Sequence, residues 1–225
     1  MKPYSAQNHL PITGMIALTI GSIILGSVLG ALAYIISNLF YLLVVFPLII
    51  GGIGAIAYQR LLLFCKVRYT WLTALIGFAT GILIAVAFYA ASYLWIRHNV
   101  IVDFQKDYGT DAMTASAALD NFLTYETGSS GLWGFMKLRA TEGDQYTNYL
   151  VINSFPVSEF SFTLQSTWAW IYWGVEVLLF ASPLAWIGFE AGKMDFNHSV
   201  NDWYSSLPKQ IGAVSLDSKE EILAR

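Results

Sequence analysis

Glu176 is the residue in this sequence best placed to do chemistry. It stands inside an apolar run from Thr167 to Phe189 that contains no other charged side chain. About nine residues into a helix rising 1.5 Å per residue is roughly 13 Å deep, near the midplane of a bilayer. A charge at that depth costs at least ~2.5 kcal/mol on insertion scales. No Lys or Arg lies in any of the apolar runs to offset it. The expected form is therefore the neutral acid, sharing hydrogen bonds with groups such as Thr80 or Ser22. Two roles fit such a group. One is a proton- or cation-handling site. The other is a structural acid that ties helices together or meets a partner subunit. Pro183, seven residues on, removes a backbone donor and is expected to kink the same helix.

Other chemistry is sparse. The 3 histidines are His9, His98 and His198. Their places on opposite sides of the expected membrane keep them from sharing a metal, so no metal site and no cofactor is expected. The only cysteine, Cys65, excludes an intramolecular disulfide and a Cys-based zinc site. It sits beside Lys66 and Arg68 at an expected membrane edge, where a plain interfacial residue is favoured over a palmitoylated one. The HExxH, Walker A, GxSxG and post-strand GxGxxG patterns are missing. A net charge of −3 gives no basic footprint for nucleic acid.

The elements that must position Glu176 are read from hydropathy. Only 12% of residues are charged and 56% are hydrophobic, against about 25% charged in soluble domains. That much charge cannot solvate a globule of 225 residues. Four runs are long enough to cross a ~30 Å hydrocarbon core: Gly14–Ile36, Leu39–Tyr58, Trp71–Ile96 and Thr167–Phe189. Each must be helical, because backbone groups in lipid have no water to bond. The expected class is an all-α integral membrane protein with four transmembrane helices and a small α+β extramembrane domain between the third and fourth. Its plan is a segment over 1–12, three spans over 13–96, a domain over 97–166, a fourth helix over 167–190 and a tail over 191–225. Lys2, the first apolar run and Ala31-Leu32-Ala33 imitate a cleaved leader. The run continues past Ala33, so an uncleaved span is expected.

Basic residues in short loops set the orientation. The second connection carries Arg60, Lys66 and Arg68 and no acid, whereas 97–166 holds eight acids against four bases. The basic loop is expected in the cytoplasm, with both termini there and 97–166 outside. Tyr93, Trp95, Trp168, Trp170, Tyr172 and Trp173 would anchor the outer interface, and Trp71 and Trp186 the inner one.

The spans carry ladders of small residues four apart. Ser22, Gly26 and Gly30 form one in the first span. Thr73, Gly77, Gly81 and Ala85 form another in the third, and the second span adds Gly51 and Ala55. Such faces let backbones approach, which matters where lipid offers no hydrophobic drive between helices. Packing within the chain's own bundle is favoured over pairing with another protein.

Between the third and fourth spans, Asp111 to Glu126 is expected to be helical, capped by Thr110 or Asp111 and ended by Gly128. Leu132 to Ala140 alternates, and Gln145 to Asn153 is strand-like, which predicts a β-hairpin. Trp133 and Phe135 are candidates for a partner contact or for burial under the helix. In the tail, Ser218 and Glu221 form a capping-box pattern and predict a short helix.

The topology, with four spans, a tiny first external loop and a large second one, resembles the tetraspanin plan. The large loop has no cysteine, so that family's Cys-Cys-Gly motif and disulfides are absent and no residue roles are carried over. The function expected is a non-enzymatic structural, assembly or accessory subunit of a larger membrane complex. The alternative is an oligomeric channel, transporter or proton-coupled component that uses Glu176. Partners expected are the lipid bilayer and other membrane subunits or further copies of the chain, with no nucleic acid.

Overall fold

The computed structural model describes residues 11–38, 44–67, 69–109, 111–152, 155–193, 196–197 and 202–203. The expected terminal helix after Ser218 lies outside the described residues. Four helices are long and apolar enough to cross a membrane: α1 (Ile12–Ser37), α2 (Val45–Cys65), α3 (Thr70–Tyr108) and α6 (Thr167–Ala191). Between the last two stand α4 (Ala112–Thr127), α5 (Gly131–Glu142), β1 (Asp144–Ile152) and β2 (Phe155–Leu164). Two short strands, β3 (Phe196–Asn197) and β4 (Asp202–Trp203), pair after α6.

Two of the four long helices have boundaries that differ from the hydropathy reading. Helix α2 does not stop at Tyr58 but continues through Arg60 to Cys65. The Arg60 side chain is exposed, and its long stem lets it sit in a helix end while the guanidinium reaches water. Lys66 ends the helix in a left-handed conformation (φ 55°), and its N–H bonds the Leu62 carbonyl. Cys65 is correspondingly buried at 5% exposure, not a surface residue of the loop. Helix α3 does not stop at Ile96 either. It runs 39 residues, or about 58 Å, so its last twelve or so residues rise about 18 Å beyond the apolar run. Gly109, at φ 64°, ends it by accepting the left-handed geometry that a side chain resists.

Helix α4 forms where the sequence places it. Asp111 accepts a 2.7 Å bond from the Thr114 N–H, and Gly128 closes the other end at φ 70°. That bond holds the Asp111 carboxyl below the usual carboxylate range. The helix folds back along the upper part of α3. Arg97 of α3 reaches both Ser116 and Asp120 of α4, the latter at 3.8 Å. Lower down, Leu123 packs in a cluster with Tyr93 of α3 and Phe135 of α5.

The hairpin expected from Leu132 onward is corrected by the structure. Residues 131–142 are the helix α5, and the hairpin is made instead by β1 and β2, antiparallel from Asp144↔Leu164. The alternation that suggested a strand contains Leu132, Met136 and Ala140, which are also four apart. Four-residue spacing suits one face of a helix as well as alternate positions of a strand, and here tertiary packing selects the helix. Met136 and Ala140 join the main core with Ala169 and Trp173 of α6.

Candidate functional site

Glu176 is buried at 1% exposure on α6. The structure brings it to Tyr89 of α3, whose hydroxyl donates to Glu176 Oε2. The Thr80 hydroxyl is turned to its own helix, donating to the Ile76 carbonyl at 2.7 Å. Ser22 Oγ makes no hydrogen bond and lines a groove between α1 and α3. Tyr89 was not legible as the partner, because nothing in a sequence couples two residues 87 positions apart.

Aromatic rings stand between this pair and the α5 side of the bundle. Trp173 meets Tyr89 edge-on with centroids 6.0 Å apart, Trp170 meets Trp173 at 5.0 Å, and Trp133 of α5 meets Trp170 at 5.2 Å. The column runs from Trp133, 57% exposed, down to the buried Tyr89 and Glu176. Trp173 is therefore interior, not an interface anchor, and Tyr93 is buried under Phe135. Trp95 and Trp168 remain outward. Phe88 packs against Tyr89 from below in chain order and also contacts Tyr34, Phe46 and Phe180.

Small residues make the close approach of α3 and α6 possible. A Cβ on Gly81 would lie 2.2 Å from the Ala181 Cα, and one on Gly77 2.5 Å from the Leu184 carbonyl oxygen. Thr73 and Ala85 complete that buried face. The ladder of α1, Ser22, Gly26 and Gly30, is buried against α3, where Gly30 meets the Ile84 carbonyl and Gly26 the Leu83 side chain. Gly51 of α2 faces Leu179 and Phe180 of α6, and Ala55 is buried beside it. Pro183 lies inside α6 and has no N–H for the Leu179 carbonyl. The Gly51 hydrogen that stands where a Cβ would be points at that same carbonyl, a weak C–H···O contact in a place where lipid offers none.

A second polar junction, also unforeseen, fastens three helices near their other ends. The buried Tyr58 hydroxyl of α2 donates to the Thr73 carbonyl of α3 at 2.6 Å, and Thr73 Oγ1 donates to the Gly188 carbonyl of α6 at 2.7 Å. Glycine at 188 lets the two backbones come this close, since a Cβ there would lie 2.5 Å from the Thr73 carbonyl oxygen.

Of the two surface candidates, Phe135 is buried at 8% exposure between Tyr93 and Arg139. Trp133 is the exposed one of the two, at 57%. Among the described residues no group of three or more His, Cys, Asp or Glu side chains could hold a metal ion. The arrangement around Glu176 can hold a proton between a carboxyl and a phenol inside a buried helix interface. No family model, curated protein or solved structure matches this chain.

Proposed function

We propose that this chain is a non-enzymatic, multi-pass membrane subunit that structures or assembles a larger membrane complex. The segment 97–166 serves it as a small extramembrane α+β domain on the outer face. One observation carries the reading. The tip of the α3–α4 hairpin, about 18 Å above the apolar run, holds large apolar side chains out among the exposed charges of Lys106, Asp107 and Asp111. Tyr108 is 72% and Met113 85% exposed there, and Phe104 stacks on Tyr108 at 5.3 Å. Large apolar side chains held out on a helical arm, clear of the lipid, mark a contact surface. The native mass of gently solubilised protein tests this. A hetero-complex heavier than the 25.0 kDa chain is expected, and Tyr108→Ser with Met113→Ser should release the chain from it. A wild-type chain that is monomeric overturns the reading.

A second reading rests on the Tyr89–Glu176 hydrogen bond. A buried acid with a phenol donor is suited to proton handling within an oligomer, since four helices alone enclose little space. Glu176→Gln in proteoliposomes separates the two. Proton-coupled activity would be abolished, whereas a structural acid tolerates the amide.

A further inference from the structure

We propose that the junction of α4, α5 and α6 is a binding site for a zwitterionic phosphate–ammonium headgroup of the surrounding membrane lipid. A cavity of about 350 Å³ opens there, lined by Glu126, Thr127, Lys137, Thr141, Ser166 and Trp170. It is level with the first turn of α6, where Trp168 and Trp170 mark the headgroup layer. The lining carries both signs of charge. Lys137 Nζ has three N–H groups, of which two are directed at Ser129 Oγ (2.7 Å) and the Thr127 carbonyl (3.4 Å). The Thr141 hydroxyl donates to the Lys137 carbonyl at 3.0 Å, so the third ammonium N–H and the Ser166 hydroxyl are the donors suited to phosphate oxygens. Glu126 is exposed and forms no ion pair among the described residues. Its carboxylate and the Trp170 ring suit an ammonium group, by charge and by cation–π attraction.

The site is built into the backbone as well. Ser166 holds φ 53° and ψ −127°, a region that a residue with a side chain rarely adopts. Its N–H is fixed on the Ala140 carbonyl at 2.6 Å. Strain of this kind persists where surrounding structure imposes it, and it clusters at ligand sites. An anionic headgroup would satisfy Lys137 but meet Glu126, and an uncharged one would leave both without a ligand.

Native mass spectrometry of the full chain in detergent, with lipids of matched acyl chains, tests the assignment. Phosphatidylethanolamine should be retained about three- to ten-fold over phosphatidylglycerol and over diacylglycerol. Glu126→Gln should erase the preference over phosphatidylglycerol while leaving the fold intact, because Glu126 makes no side-chain hydrogen bond or ion pair among the described residues. Lys137→Gln should erase the preference for phosphatidylethanolamine over diacylglycerol. Soluble glycerophosphoethanolamine at equal concentration should not displace the lipid. Displacement would assign the site to a free zwitterion and overturn the membrane source. Equal retention of the three lipids by the wild type, or an undiminished preference in Glu126→Gln, overturns the site itself.

Discussion

A carboxyl and a phenol meeting inside a helix interface create a dependence that runs one way more than the other. Glutamine at 176 keeps a carbonyl oxygen for the Tyr89 hydroxyl, so Glu176→Gln should melt in detergent close to wild type. Phenylalanine at 89 removes the hydroxyl that donates to Glu176 Oε2 inside the helix interface. Tyr89→Phe is expected to cost about 1–3 kcal/mol, read as a lower midpoint in a thermal scan. A Tyr89→Phe variant as stable as wild type would deny the bond a structural role. Glu176 itself was legible from sequence, because a single acid in a run of apolar residues stands out against composition. Tyr89 was not, because tyrosine is common in these helices and only the fold brings this one to the carboxyl. By spacing, Thr73 is a rung of a small-residue ladder. Its hydroxyl bond to Gly188 gives it a second task that spacing does not reveal.

Among the elements, the glycine faces make the sharpest test. Gly81→Leu would drive a side chain into the Ala181 backbone, where even a Cβ would lie 2.2 Å from the Cα. Helices α3 and α6 must then separate, at a cost of about 1–3 kcal/mol or more. Gly174 on α6 is the control. It has nothing within 4 Å of its would-be Cβ, so Gly174→Leu should leave stability unchanged or slightly raise it through helix propensity. Equal melting of the two variants would contradict the packing described. The long helices were legible because roughly twenty apolar residues in lipid admit little else. Their ends were not. Hydropathy reports where lipid stops, whereas helix ends follow capping, which is why α2 passes Arg60 and α3 passes Ile96. The 132–140 segment was misread because three of its apolar residues satisfy both periods at once.

For the molecule in its membrane, the charge asymmetry of the loops predicts which side the arm occupies. Cys65 is the only cysteine in the sequence and is buried, so wild-type protein should react poorly with a membrane-impermeant maleimide. Met113→Cys places a thiol on the exposed tip and should label in intact cells. Labelling that appears only after permeabilisation would reverse the orientation. The continuity of α3 carries a mechanical consequence. No proline occurs in it, and no glycine falls between Gly81 and Gly109. The arm and the span above Gly81 therefore form one stiff rod without a hinge. A sideways load on Tyr108 or Met113 is transmitted as torque through the membrane surface, and a tight approach of α3 to α6, Gly81 against Ala181, lies at the far end of that lever.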